Sequence, residues 1–558
     1  MSNKSTLRRA LKRLNKAITD LFEAIEAAPL TLGSFATAFF AIIIVRILIE
    51  LGTNLFGSEP LNYMLYEFSH TFLFFLFAFL LFLPVARLAG ATSWSRASNL
   101  LLAGFLIIWT PPIIDKMIFG DRAFWSFYEL DGLSGLFSGF FHFFGGRPDI
   151  GITYGVRFEV AAMSIALGLY SFFRTRKPLR SVGIVFLSYL VFYILGTFPS
   201  YIAIGALASR QGLFHVTGAD IAGYMLSTKK FFGMEMADPR MSLGYRMSLV
   251  YAILSVLSVG ILLFHSFRKT FLALLGNVRW PQVFWHGGLL LLGGCLAMIY
   301  AGAEPDFRLF EILSVIVMVI AVESAWLASV IGNDLTDRHI DAITNPSRPL
   351  PVRSISEYRY RHIGILFFFA SILFSSIVSI KSMLFLLAYQ AIAWIYSMPP
   401  LRLKRIPVVA TALSAAAGIA VMLAGYSVIA PVPTISPVPL PLLAFLFVCY
   451  AATIPLKDFK DMKGDRQDGV FTIPVILGEE KARLFLGSAL FACYVGSPIA
   501  LHDAGLFLPA FLFGSLAFMS IRRAGKKSSR WGSFRSLPAW NMLFIALYGI
   551  CVALILLS

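Results

Sequence analysis

The sequence predicts an all-α polytopic membrane protein, and three observations carry that reading. The chain is 58% hydrophobic and only 14% charged, where a soluble domain averages roughly 45–50% apolar and about 25% charged. Its mean hydropathy is +0.77. Apolar runs of roughly 20 residues, long enough to cross about 30 Å of hydrocarbon, recur along the whole chain.

The first residues, MSNKSTLRRALKRLNKAITDLFEAIEAA, hold no apolar core of a signal peptide. Leu7, Leu11, Leu14, Ile18, Leu21 and Ile25 recur at helical spacing, and Lys and Arg fill the other faces. Residues 1–30 therefore read as an amphipathic helix on an anionic cytoplasmic leaflet. Six spans follow, near 34–56, 67–90, 98–114, 151–174, 181–205 and 245–265. Nine more lie near 283–302, 309–332, 361–379, 381–398, 407–430, 438–456, 482–501, 505–520 and 538–557. The basic, proline-containing stretch RKTFLALLGNVRWPQ separates the two groups. The expected organisation is an N-terminal transmembrane domain over 31–270, a linker over 271–282 and a second domain over 283–558. The aromatic, Gly-rich segment 120–148 reads as an outer interfacial element rather than a span.

The net charge is +17. In this context it points to basic inner loops rather than to nucleic acid. With an inside N-terminus, the inner loops hold RTRKPLR, HSFRKT, LRLKR and RRAGKKSSR, while the outer turns of the second series are short. That places the N-terminus in the cytoplasm of an inner-membrane protein. The four cysteines lie in or beside apolar runs and form no CxxC pair, so neither a disulfide framework nor a zinc site is expected.

Two motifs stand at inner helix ends of the second series. In NDLTDRHIDAITNPSRPL, Asp334, Asp337 and Asp341 lie at i, i+3 and i+7. At 100° per residue they fall within about 60° of one face. In KDFKDMKGDRQDG, Asp458, Asp461 and Asp465 repeat that spacing, and Asp468 follows. Carboxylates gathered on one face repel unless a cation neutralises them. Hard oxygen ligands suit Mg²⁺, which takes one or two carboxylates plus phosphate oxygens. Two matched motifs would grip one diphosphate through two or more Mg²⁺ ions. A single acidic helix end is commonly just solvated; two copies at the same spacing on the same side are harder to explain that way.

Together these motifs resemble the UbiA superfamily of intramembrane prenyltransferases. NPSRPL matches the family's N-x-x-R-P, and GDRQDGVFTIPVILG its GDR…G…T-x-P-V…G tail. YSMPPLRLKR is similar to a loop of the chlorophyll synthase and homogentisate prenyltransferase branch. The resemblance covers about 283–558. It implies a nine-helix bundle that transfers a prenyl group from a prenyl diphosphate to a lipophilic acceptor within the bilayer, releasing diphosphate on the cytoplasmic side. Products of this class serve lipid, quinone or pigment biosynthesis.

The implied roles follow. Asp334, Asp337, Asp341, Asp458, Asp461 and Asp465 hold the metal ions. Asn333 is a neutral ligand or a diphosphate donor, and Arg348, Arg402, Lys404 and Lys457 bind phosphate. Tyr396, beside the phosphate loop, offers a π face to the allylic cation, with Tyr389, Trp394 and Tyr426 as alternatives. Arg338 and His339 turn off the aspartate face. Glu323, 11 residues before Asp334, shares that face about 16 Å deeper, and a carboxylate inside a span usually faces a cavity. It is expected to line the cavity and to receive the acceptor's proton, unless it merely contacts a neighbouring helix.

Before residue 270 there is no catalytic motif; Glu67 and His70, three apart near the start of a span, could face one another or a lumen, and a helix end near the interface is the preferred reading. That domain is a candidate docking surface for a membrane partner. The rival readings are a non-catalytic scaffold of the same fold and an ion-coupled transporter. A transporter would place its carboxylates near mid-membrane, at broken helices.

Overall fold

The computed structural model describes residues 2–53, 61–120, 125–126, 128–146, 150–227, 239–338, 341, 348–430, 438–460, 462–467, 469–525 and 536–556. Among these residues, 15 helices are long and apolar enough to cross a membrane. They coincide with the six and nine spans expected from the sequence. The described chain is otherwise helical or irregular, save for a two-residue parallel bridge between Trp125–Ser126 and Ile150–Gly151. It forms two compact units, one ending at residue 262 and the other beginning at residue 263.

The N-terminal unit holds α1 (Ser2–Glu26), α2 (Leu32–Gly52), α3 (Leu61–Gly90), α4 (Trp94–Gly104), α5 (Thr110–Phe119) and α6 (Leu133–Phe141). It continues with α7 (Tyr154–Thr175), α8 (Pro178–Gly196), α9 (Phe198–Gln211), α10 (Gly218–Met225) and α11 (Pro239–Ser266). The end of α1 is tied to the bundle as well as being amphipathic. Glu26 is buried and accepts from the Tyr170 hydroxyl at 2.7 Å, with Arg174 at 3.3 Å. Asn99 donates to the Glu26 and Ala28 carbonyls. A buried carboxylate needs such donors, because desolvation is otherwise uncompensated.

Within segment 120–148 the one described helix, α6, has nine residues, too few to cross. It packs at the C-terminal end of α8, where Tyr189 donates to Phe140 O at 2.6 Å and Glu129 N to Gly196 O at 2.9 Å. The contact of α1 with α7 lies at the other end of the same bundle, as an interfacial reading requires. His70 is not part of a solvated helix end. Its Nε2 lies 2.8 Å from the Tyr128 hydroxyl, which is 2.9 Å from that of Tyr251.

The C-terminal unit begins with α12 (Arg268–Gly276), a short helix beside the first span, α13 (Trp280–Ala301). Then come α14 (Leu309–Thr336), α15 (Glu357–Val378), α16 (Ile380–Ser397) and α17 (Pro407–Ile429). Next, α18 (Leu440–Thr453) tightens into a 3-10 stretch over Ile454–Lys460, followed by short α19 (Met462–Gln467) and α20 (Ile473–Leu477). The last spans are α21 (Glu479–Leu501), α22 (Phe507–Arg523) and α23 (Leu537–Leu556). In lipid, helices gain little from burying apolar surface against each other, so close backbone approach and interhelical hydrogen bonds matter more. The α13–α17 crossing shows both halves of this. A Cβ on Gly293 would meet Met422 O at 1.8 Å, and one on Gly425 would meet Leu290 O at 2.1 Å. On the neighbouring face, Ser382 of α16 donates to Ala424 O at 2.9 Å.

This crossing sets the spacing of two cavity walls, so it is a sensitive point. Gly425→Val should cost about 1–3 kcal/mol through overpacking. Gly287→Ala on the same α13, where nothing lies within 4 Å of a new Cβ, should be neutral or stabilising. Thermal unfolding of the two variants in detergent checks the contrast.

Candidate active site

The first aspartate motif lies where α14 runs out. The helix stops at Thr336, and the Asp337 N–H still donates to Asn333 O at 2.8 Å. Asp341 N then donates to Asp337 O at 2.9 Å. All three carboxylates are buried, at 2%, 8% and 4% exposure for Asp334, Asp337 and Asp341. Burial on this scale is costly without counter-charges, and the structure supplies them to each, with Arg348 shared between Asp334 and Asp341.

Asp334 is fully enclosed by donors. Its Oδ1 accepts from Arg348 at 3.0 Å and Arg279 at 3.4 Å. Its Oδ2 accepts from the Tyr360 hydroxyl at 2.9 Å and Asn277 at 3.2 Å. Asp337 pairs with Arg402 at 2.6 Å and with Lys404. Asp341 pairs with Arg348. Asn333 Oδ1 accepts from Lys404 at 2.9 Å and from Ser397 at 3.1 Å.

Arg402 and Lys404 reach Asp337 from the loop between α16 and α17. Arg402 has φ 43° and Arg279 has φ 54°, left-handed values that are uncommon for residues with a side chain. Two of the arginines around the aspartates thus sit on turns that sequence periodicity does not reveal. Burial pushes Lys404 below its ordinary pKa, against the pull of Asp337. Burial and the neighbouring Arg348 do the same to Arg279, against Asp334.

A cavity of about 830 Å³ opens at this point. Its polar mouth is lined by Asn333, Asp337, Asp341 and Asp458, and by Arg279, Arg348, Arg402, Lys404, Lys457 and Lys460. Among the described residues, six basic ones face three acidic ones. Below the mouth the wall becomes aromatic and apolar, with Trp285, Trp326, Tyr389, Tyr396 and Tyr450 among its residues. Trp285 stacks on Tyr450 at 5.3 Å and donates to its hydroxyl at 2.7 Å. The GDRQDGVFTIP stretch contributes Gly464, Val470, Thr472 and Ile473.

The predicted site residues divide accordingly. Asn333, Asp337, Asp341, Asp458, Arg348, Arg402, Lys404, Lys457, Tyr396 and the alternative Tyr389 come together on one cavity. Asp334 does not line it; its oxygens are turned to Arg279, Arg348, Tyr360 and Asn277, which the helical-wheel argument could not see. Asp461, Asp468 and His339 lie outside the described residues, as does the side chain of Asp465. Arg338 is exposed and pairs with Glu357 at 2.5 Å. Trp394 is 62% exposed, and Tyr426 is buried away from the wall. Glu323 does not line the cavity directly but sits beside His286, which does. Sequence reasoning missed Arg279, Asn277, Tyr360, Trp285 and His286. The RWPQVFWH run just before and inside α13 is the available signal, and its composition alone marks only a linker and a span.

Among the described residues, no three carboxylate, imidazole or thiol groups converge tightly enough to hold a metal ion by themselves. Mg²⁺ does not need that, since it takes one or two carboxylates and fills its octahedron with phosphate oxygens and water. The hard oxygens of Asp337, Asp341, Asp458 and Asn333 at the mouth fit such an ion.

Residues 289–548 match the UbiA prenyltransferase family. The C-terminal unit is a UbiA-type domain. It is 27% identical over 225 residues to the bacteriochlorophyll synthase 33 kDa chain of Rhodobacter capsulatus, covering 38% of this chain and 68% of that one. It is 26% identical over 203 residues to the digeranylgeranylglyceryl phosphate synthase of Pyrococcus horikoshii, covering 34% and 64%. A solved structure of a UbiA homolog from Archaeoglobus fulgidus, bound to DMAPP and Mg²⁺, aligns with TM-score 0.38 and 20% identity. That alignment covers 50% of this chain and 98% of the other.

Within the UbiA-type domain, Asp334 anchors the mouth. Asp334→Ala would leave Arg279 and Arg348 without their shared carboxylate. Breaking a buried pair costs roughly 3–5 kcal/mol, and the low end is expected here because both cations keep some solvent contact. Tyr360→Phe should cost about 1 kcal/mol. Denaturant or thermal unfolding of the purified variants measures both.

Proposed function

We propose that the UbiA-type domain transfers a prenyl group from a prenyl diphosphate to a lipophilic acceptor, with Mg²⁺ at the mouth and diphosphate as the leaving group. The observation that carries this reading is the polarity of the cavity. A mouth whose described residues carry excess positive charge and hard oxygen ligands continues into an aromatic, apolar interior. That shape complements an anionic head on an apolar tail.

The chemistry follows from the wall. An allylic C1–O bond breaks when the departing diphosphate can accept its electron pair, and Mg²⁺ held by Asp337, Asp341 and Asp458 would supply that Lewis acidity. Arg402 and Arg348 present planar forks suited to phosphate oxygens, while Lys404 and Lys457 act as point charges. These are preorganised cations aimed where negative charge develops. Their present partners, Asp337 and Asp341, would turn to the metal as the cations turn to phosphate. Tyr396 lies between mouth and interior, where a ring face stabilises an allylic cation. Asp334 has a different part in this account: it holds Arg279 and Arg348 in place rather than the metal. Basic residues in the loop over 401–405 and at Arg522 and Arg523 support a cytoplasmic mouth. The two curated relatives are named for different products, so the proposal commits to a lipophilic acceptor and no narrower class.

Purified chain with labelled geranylgeranyl diphosphate, Mg²⁺ and a total lipid extract should transfer label to lipid. Asp337→Ala and Asp458→Ala should each lower transfer by at least about 100-fold, as expected when electrostatic stabilisation of a leaving group is removed. A wild-type protein that neither binds nor consumes the diphosphate with Mg²⁺ contradicts the proposal.

A further inference from the structure

Below the mouth lies a group of polar side chains that the diphosphate reading does not use. His286 of α13 and Trp326 of α14 line the cavity. Glu323, one turn before Trp326, brings its Oε1 to 3.9 Å from His286 Nδ1. That is too long for a hydrogen bond. His286 Nδ1, both Glu323 oxygens and Trp326 Nε1 are buried with no hydrogen-bond partner. Unsatisfied buried polar atoms are uncommon and call for an explanation. Four of them at one place on a substrate cavity indicate a function that overrides their cost. Carboxyl groups inside membrane spans are likewise kept for a purpose.

Access to the cavity decides which of the two groups can serve the acceptor. Glu323 lies 11 residues before Asp334, about 16 Å lower along α14. Glu323 does not line the cavity whereas His286 does, so the imidazole and not the carboxylate is open to a bound acceptor. His286 is six residues into α13, about 9 Å below the start of that helix. Its ring is held on two sides, by Trp326 at 5.1 Å and Tyr389 at 5.9 Å, both edge-on. With Nδ1 turned to Glu323, the geometry of the imidazole directs Nε2 elsewhere, and the ring lies on the cavity wall.

We propose that His286 is the general base for the acceptor, and that Glu323 is a positioning residue that holds its tautomer and stabilises the imidazolium. This rests on the prenyl-transfer reading. The donor's C1–O bond breaks, and its electron pair leaves with the diphosphate. The acceptor oxygen or carbon bonds to C1, and its proton passes to His286 Nε2. The Nδ1–H then faces the Glu323 carboxylate, as in other histidine bases oriented by a carboxylate. Hydrogen bonds of this kind are often long before substrate binds. Trp326 Nε1–H is left to donate to a polar atom of the acceptor. A neutral, protic acceptor group therefore fits here, and an anionic group beside Glu323 does not.

The test uses full-length protein, labelled geranylgeranyl diphosphate, Mg²⁺ and a total lipid extract. His286→Ala should lower kcat by roughly 100-fold or more, with the KM for the diphosphate within about threefold of wild type. Added imidazole should restore much of the rate, which a purely structural defect would not allow. Glu323→Gln should lower kcat by about tenfold or more without rescue by imidazole. Binding of the labelled diphosphate with Mg²⁺ reports an intact mouth; if His286→Ala lacks it, His286→Asn carries the same comparison. Undiminished kcat in the His286 variants, or a loss that imidazole does not restore, overturns the base assignment and leaves prenyl transfer standing. No label transfer by wild type removes prenyl transfer itself, and the assignment with it.

Discussion

Three carboxylates cannot be buried at one helix end unless cations are buried with them. The UbiA-type domain meets this constraint by bringing cations from separate parts of the chain: Arg279 from before α13, Arg348 from after α14, and Arg402 and Lys404 from the loop after α16. The charge balance at the mouth therefore also ties the bundle together. Among the described residues it also leaves the cavity wall with more positive than negative charge. Under the proposed function, structural neutralisation and capture of the diphosphate are two consequences of the same arrangement, and the Asp337 pairings stand at their junction.

The architecture was legible in the sequence because membrane spans announce themselves by length and apolarity. All 15 spans had that signal, and the basic loops ordered them. The site was legible in part. The motif spacing pointed to Asp337, Asp341 and Asp458, and the basic loop at 401–405 to Arg402 and Lys404. A helical wheel gives the shared face of Asp334, Asp337 and Asp341 but not the partners met there, and Asp334 meets Arg279, Arg348, Tyr360 and Asn277. Tyr360, Asn277 and Arg279 escaped because polar residues beside spans look alike in sequence. Only contact distinguishes a residue that holds a buried charge from one that is solvated.

Glu323 illustrates the same limit at greater depth. Its presence in a span marked it as a candidate, and its distance from the motif argued for the cavity. What the sequence could not supply was its neighbour. His286 lies on another helix and would pass as an ordinary polar residue near a span's beginning. Their juxtaposition changes the chemical reading from a carboxylate acting alone to one acting through an imidazole.

The central claim is that one Mg–diphosphate unit joins the carboxylates of both motifs at the mouth. Electron–nuclear double resonance with Mn²⁺ in place of Mg²⁺ and a prenyl diphosphate tests it most directly. The account predicts ³¹P coupling to bound Mn²⁺ in the wild-type protein, lost in Asp337→Ala and in Asp458→Ala. Diphosphate that binds equally well without metal, or bound Mn²⁺ that shows no phosphorus coupling, would contradict it.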